Sequence, residues 1–340
     1  MTPVSSLFLA AGLALGLATS AMAQDSPAGP GHEVMTLWPK GPPGAEHATA
    51  REEIVERSKD AAVLRDRIIK GVTHPTLIAF RPRHPNGSAL LMAPGGGYAW
   101  VVMDKEGYEA AERFARSGVT VFVMTYRLPH EGWSAGPAAP LQDAQRALRL
   151  IRAHAADYGL DPGRVGVIGF SAGGHVAGVL TLKFDKAVYP AVDAADLASA
   201  RPDFSVLMYP VATMAQPFAH PGSRKNLLGE APTPAAIAEW SLETSVRPDA
   251  PPTFLVHAVD DASVPVENSL QLFEALRALR VPVEMHLFEE GGHGFGLRFA
   301  VGKPAAAWPD LVLSWMKRRG YLEPKGRLRT HPSDGPSTPG

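Results

Sequence analysis

The residues of this chain best suited to covalent chemistry are a serine, an aspartate and a histidine, each on a loop directly after an apolar run. Gly169-Phe170-Ser171-Ala172-Gly173 follows Arg164-Val165-Gly166-Val167-Ile168 and precedes a helical pattern. A serine on a sharp strand-to-helix turn is exposed above a sheet. The strained backbone there demands tiny neighbours, which positions 169, 172, 173 and 174 supply. The N-terminus of the following helix favours negative charge as it develops. A serine hydroxyl is inert without a base, and for a strand–serine–helix turn the acid and then the histidine are expected later in the chain.

The acid is expected in Val259-Asp260-Asp261-Ala262-Ser263-Val264-Pro265, just past the apolar run Thr253–Ala258. Asp261, before x-x-Val-Pro, is the stronger candidate. Asp260 is then a loop or capping residue, and helix capping alone is the alternative for both. The base is expected at His293 in Glu289-Glu290-Gly291-Gly292-His293-Gly294-Phe295-Gly296, after Val283–Phe288. Its glycines let the imidazole approach the serine, and its unperturbed pKa suits a proton shuttle. His74, His130, His154 and His220 lack such a frame and default to the surface.

Acyl transfer also needs backbone N–H groups aimed at the developing oxyanion. Ala89–Ala93 ends in Pro94-Gly95-Gly96-Gly97-Tyr98. Gly96 and Gly97 are the candidates for one donor, with no choice between them, and Ala172 supplies the other. A phosphate-cradling loop is disfavoured, because no G-K-[ST] follows. Tyr98 and Trp100 stand just beyond, as substrate-lining or packing residues.

Short apolar runs alternate with helical patterns along the chain. Strands are expected at Thr76–Phe80, Ala89–Ala93, Val119–Tyr126, Val165–Phe170, Phe204–Tyr209, Thr253–Ala258 and Val283–Phe288. Several are apolar on successive residues, as in strands covered on both faces. Helices are expected at Glu106–Ser117, Leu141–Tyr158, Ala172–Leu182, Val266–Leu279 and Trp308–Arg319, with Val266, Leu270, Phe273 and Leu276 forming one buried stripe. This alternation predicts an α/β fold with a mainly parallel central sheet and helices on both faces. Residues 24–45 read as an extended lead-in, 46–322 as one domain and 323–340 as a disordered tail. The charged stretch 46–70 is expected to hold a short surface helix.

The 340 residues are 45% hydrophobic and 20% charged, which excludes a disordered or collagen-like chain. With 33 Lys+Arg against 34 Asp+Glu, a nucleic-acid partner is not expected. The absence of cysteine removes disulfides, thiolate metal sites and Cys nucleophiles, and no HExxH or other metal-ligand spacing is present among the 12 histidines. Residues 1–23 read as a secretory signal peptide: Leu7 to Ala18 is almost wholly apolar, and Ala21-Met22-Ala23 is a small-x-small cleavage site, although no Lys or Arg precedes the apolar stretch. The expectation is an exported chain, periplasmic or secreted, without a membrane association after cleavage. A retained membrane anchor is the alternative.

Taken with Lys105-Glu106-Gly107, Tyr126-Arg127-Leu128-Pro129, Tyr209-Pro210-Val211 and Val264-Pro265-Val266-Glu267-Asn268-Ser269, these motifs resemble the serine esterases of the α/β-hydrolase fold. More narrowly, they are similar to the bacterial acetyl-xylan esterase and feruloyl esterase-like group, whose members are often labelled xylanase-like or lipase-like. The resemblance implies Ser171 as nucleophile, His293 as base, Asp261 as orienting acid, and Gly96, Gly97 and Ala172 as the oxyanion pocket. It implies no metal or organic cofactor, and a small-molecule or oligosaccharide ester as substrate, acetyl foremost. Pro94 departs from the histidine that many such esterases place before the glycine run. A prolyl-oligopeptidase-like peptidase and a non-catalytic binding protein of the same fold are the rival readings. Oligomeric state is not legible.

Overall fold

A computed structural model describes residues 26–322. Its strands are β1 (Glu33–Thr36), β2 (Glu53–Glu56), β3 (Arg67–Lys70), β4 (Thr76–Phe80), β5 (Ala89–Ala93), β6 (Val101–Val102), β7 (Thr120–Met124), β8 (Val165–Phe170), β9 (Ser205–Met208), β10 (Thr253–Ala258) and β11 (Val283–Phe288). Its helices are α1 (Glu109–Ala115), α2 (Ala139–Ala153), α3 (Ala172–Leu182), α4 (Pro221–Leu228), α5 (Pro234–Trp240), α6 (Glu267–Ala278) and α7 (Trp308–Arg318).

Every residue of β5, β7 and β8 is buried, which is why their sequences run apolar without alternation. These strands form the middle of an eight-stranded sheet of order β1-β4-β7-β5-β8-β9-β10-β11. All neighbours from β7 to β11 are parallel, while β4 is antiparallel to β7 and β1 to β4. Helices surround this sheet: α1 packs on β7, α3 on β8 and β9, and α6 on β10 and β11. The register decides where the loops emerge. Ala93 lies beside Gly169, Phe170 and Val256 beside Met208, and Ala258 beside Phe288. The loops after β5, β8, β10 and β11 therefore leave the sheet at one edge, its carboxyl edge, where open α/β sheets bind ligands.

Three sequence expectations change. The stretch 46–70 holds no helix; β2 and β3 pair antiparallel, Ile54 opposite Ile69 and Val55 opposite Ile68, and β6 completes a small three-stranded sheet. The flanking charges hide two β-branched pairs that fit a strand better than a helix. The segment expected as an extended lead-in carries β1 and is stitched inward: Trp38 Nε1 donates to Asp143 Oδ1 at 2.7 Å, and Arg146 Nε donates to Leu37 O at 3.0 Å. In α6 the buried face is Asn268, Ser269, Leu272 and Leu276, while Leu270 is exposed. The helix is turned because Asn268 caps buried backbone: its Oδ1 accepts from Ala212 N at 2.9 Å and Thr213 N at 3.0 Å, and its Nδ2 donates to Phe218 O at 2.9 Å. The expected signal peptide and tail lie outside the described residues.

Tyr126-Arg127-Leu128-Pro129 finds a structural explanation. Arg127 and Asp143 are fully buried and paired at 2.8 Å. The guanidinium also donates to Pro43 O at 2.7 Å and Gln142 Oε1 at 2.8 Å, so the buried charges are neutralised and their hydrogen bonds satisfied.

Candidate active site

Ser171 sits between β8 and α3 at φ 53°, ψ −119°, a conformation that L-residues rarely adopt. The turn is tight because α3 starts against the end of β5: a Cβ on Gly173 would collide with the carbonyl oxygens of Ala93 and Pro94. Ser171 Oγ lies 2.8 Å from His293 Nε2, and His293 Nδ1 lies 2.7 Å from Asp261 Oδ2. The other carboxylate oxygen, Asp261 Oδ1, accepts from Ser263 N and Val264 N, both at 2.9 Å. Burial by itself would raise the Asp261 carboxyl. Hydrogen bonds from His257 and His293, with the charge of His293, outweigh it and hold that carboxyl well below the usual carboxylate range.

The neighbouring aspartate does different work. Asp260 is exposed, and its Oδ1 accepts from Gly291 N at 2.9 Å and Gly292 N at 2.7 Å. It pins the loop that carries His293.

The glycine run after β5 turns tightly, with Gly96 at φ 133° and Gly97 at φ 63°. Its carbonyls are engaged: Gly96 O accepts from Ala99 N at 3.0 Å, Gly97 O from Asn226 Nδ2 at 2.9 Å, and Pro94 O from the Tyr126 hydroxyl at 2.7 Å. The N–H of Gly95 is taken by Glu106 Oε2 at 3.0 Å. The N–H groups of Gly96, Gly97 and Ala172 have no partner among the described residues. A first-turn N–H such as that of Ala172 has no acceptor within its own helix.

Gly96, Gly97, Trp100, Ser171 and His293 are among the residues that line one cleft of about 330 Å³. Trp100 thus takes the lining position open to it. Tyr98 does not: it is buried, and its hydroxyl lies 2.7 Å from His175 Nδ1. The Tyr98 backbone takes a positive φ of 59°, and the residue is not among those that line the cleft. His220, expected at the surface, is half-buried in the wall of the same cleft.

His175 is fully buried, with its Nε2 2.6 Å from Trp240 O. Burial pushes its imidazole down to about 4. The unfolded chain takes up this proton near pH 6.5, so the contribution of His175 to stability is complete above that value and is lost as the pH drops through the window toward 4. In a histidine-resolved NMR titration, the His175 ring signal is expected to stay flat from neutral pH down to about pH 5. A midpoint at the ordinary imidazole value would contradict the buried pairing.

Three residues at the site received no role from the sequence, although two of them lie in the motifs Lys105-Glu106-Gly107 and Tyr209-Pro210-Val211. Glu106, on a π-turn over Asp104–Tyr108 that leads into α1, is buried. Its Oε1 accepts from the Tyr209 hydroxyl at 3.1 Å, and the same hydroxyl accepts from Gly296 N at 3.1 Å. Glu106 and Tyr209 therefore tie the glycine loop to the His293 loop, and the Tyr209 ring meets that of His293 edge-on at 5.3 Å. The third is His257, whose Nε2 donates to Val264 O at 3.0 Å and stands 3.3 Å from Asp261 Oδ2, while its Nδ1 lies 2.7 Å from Ser269 Oγ. The one ionisable residue within the wholly buried β10 was the available signal for it. Together, the hydroxyl, imidazole and carboxylate in line beside unpaired N–H groups can pass a proton and hold an oxyanion.

The family model described as BD-FAE matches residues 86–276, a stretch that holds Ser171 and Asp261 and stops before His293. An acetylxylan esterase of Xylanibacter ruminicola is 34% identical over 224 residues, covering 65% of this chain and 43% of that protein. An endo-1,4-beta-xylanase B of Butyrivibrio fibrisolvens is 38% identical over 205 residues, covering 60% of this chain and 32% of that protein. The chain thus spans less than half the length of these curated relatives. The crystal structure of an acetyl ester-xyloside bifunctional hydrolase from Caldicellulosiruptor lactoaceticus is 34% identical, with a TM-score of 0.66, covering 82% of this chain and 98% of that one. With its mostly parallel sheet and strand–serine–helix turn, the chain is an α/β-hydrolase-fold protein and belongs to the BD-FAE family.

Proposed function

We propose that this chain is an exported serine carboxylic ester hydrolase that removes short acyl groups, acetyl foremost, from hydroxylated alcohols of plant-wall carbohydrate. The observation that carries this reading is Ser171 Oγ at 2.8 Å from His293 Nε2, in one cleft with the unpaired N–H groups of Gly96 and Gly97. Ser171 attacks the ester carbonyl while His293 takes its proton and Asp261 holds the imidazole in the receptive tautomer. Gly96 or Gly97, with Ala172, hydrogen-bonds the oxyanion. His293 returns the proton to the leaving alcohol, and water then releases the acid from Ser171 by the same route.

The acyl preference follows from the lining. Among its side chains only Ala99, Trp100 and Val102 are apolar, too little surface for a long aliphatic chain. The acetylxylan esterase and acetyl ester-xyloside hydrolase relatives support a xylan-type alcohol. The apolar stretch Leu7 to Ala18, followed by Ala21-Met22-Ala23, supports export, for which a mature N-terminus at Gln24 is the test.

The decisive measurement is kcat/KM over 4-nitrophenyl acetate, butyrate and octanoate, a feruloyl ester, and acetate release from acetylated xylo-oligosaccharide. Highest values for acetyl, with acetate released from the oligosaccharide, are expected. A preference for octanoate or feruloyl would overturn the acyl assignment, and turnover confined to aryl esters would overturn the carbohydrate one.

A further inference from the structure

His220 stands in the cleft with no role in the proton relay. It caps α4: its Nδ1 accepts from Ser223 N at 3.1 Å and lies 2.8 Å from Ser223 Oγ. A backbone N–H can only donate, so Nδ1 is the acceptor and the hydrogen of the neutral ring sits on Nε2. Burial and the neighbouring His293 both push this imidazole below its ordinary value, which keeps the ring neutral near pH 7. Nε2 has no partner among the described residues, although the ring lines the same cleft as Ser171 and His293.

The position of the ring is held firmly. Asn226, farther along α4, donates to Gly97 O at 2.9 Å, and a Cβ on Gly97 would stand 3.8 Å from His220 Cε1. The helix that carries His220 is thus fastened to the glycine loop. The side of the cleft it serves follows from chemistry. The leaving oxygen receives its proton from His293 Nε2, so the alcohol half of an ester lies beside His293. His220 and His293 line this cleft together. Ser263 and Asn226 line the same cleft, so this wall is polar.

We propose that His220 Nε2–H donates a hydrogen bond to a hydroxyl oxygen next to the ester on the alcohol half of the substrate, and so selects esters of vicinal diols over esters of simple alcohols. The proposal rests on the ester-hydrolase reading of the cleft and deepens it. A donor aimed at a substrate hydroxyl discriminates because an ester without that hydroxyl leaves the donor unpaired.

The test compares 2-hydroxyethyl acetate with ethyl acetate, which differ by one hydroxyl, as the ratio of kcat/KM measured by acid release. In the wild type the ratio is expected well above one. In His220→Asn it is expected to fall about tenfold, the loss of one hydrogen bond. Asparagine keeps the cap of α4 and is too short to reach the cleft. His220→Gln, whose amide reaches farther, is expected to restore part of the ratio. A wild-type ratio near one overturns the proposal whatever the variants do. So does an unchanged ratio in His220→Asn, or an equal loss on both acetates, the mark of an oxyanion donor or a folding defect. Acetylated xylo-oligosaccharide is the third substrate. If it resists hydrolysis while the diol ratio collapses in His220→Asn, the carbohydrate reading fails and the role of His220 stands. If it is cleaved and the ratio ignores His220, the reverse holds.

Discussion

Ser171→Ala is expected to lower kcat on 4-nitrophenyl acetate by on the order of 10⁵-fold or more while leaving the urea unfolding midpoint close to that of the parent. The methyl group occupies the space of Cβ, which is already accommodated at φ 53°, so the turn is preserved and only the Oγ is lost. The N–H groups of Gly96, Gly97 and Ala172 remain, and a small residual rate from oxyanion binding is the expected floor. A fluorophosphonate probe is expected to add its mass to Ser171 in the parent and to leave the variant unlabelled. Turnover at the parent's rate in the variant would remove Ser171 from the mechanism.

Asp261→Asn is expected to cost about 10⁴-fold in kcat. The geometry explains why an isosteric change is so damaging. Oδ1 accepts two backbone N–H groups, from Ser263 and Val264, so the amide oxygen must take that place. The amide NH₂ then stands where Oδ2 was, 2.7 Å from His293 Nδ1. It can only donate there, so His293 must accept at Nδ1 and carry its hydrogen on Nε2, facing Ser171. An imidazole in that tautomer cannot take the serine proton. The same NH₂ meets the Nε2–H of His257 at a separation of 3.3 Å, a donor against a donor. The neighbouring position serves as the control. In Asp260→Asn the amide oxygen can still accept from Gly291 and Gly292, and a far smaller loss is expected. Equal losses at 260 and 261 would show that both act only by holding loops.

Much of the fold was legible in the sequence. β4, β5, β8, β10, β11 and α3 begin and end where the sequence patterns place them: the covered strands β5, β8 and β10 are almost wholly apolar, and the edge strand β11, with no buried residue, is marked by Pro282 before it and the glycine-rich loop after it. The loops bearing Ser171 and Asp261 could be named because each directly follows a buried strand, and the loop bearing His293 by its own glycines after β11. The four-residue strands β1, β2 and β3 could not, because so few residues carry too little periodicity and, in β2 and β3, charged residues flank the apolar pairs.

What the sequence by itself determined is the run of buried strands and the types of side chain on the loops that follow them, because both are local: burial on two faces and a tight turn each leave a mark within a few residues. Only the tertiary structure decided which polar groups pair. It separated Asp261, hydrogen-bonded to His293, from Asp260, hydrogen-bonded to the loop, and it turned Tyr98 inward onto His175. It sank Glu106 between Gly95 and Tyr209, and it brought His220 to the cleft. A hydrogen bond or a buried charge is satisfied by whatever group the fold brings within about 3 Å, and that group lies anywhere in the chain.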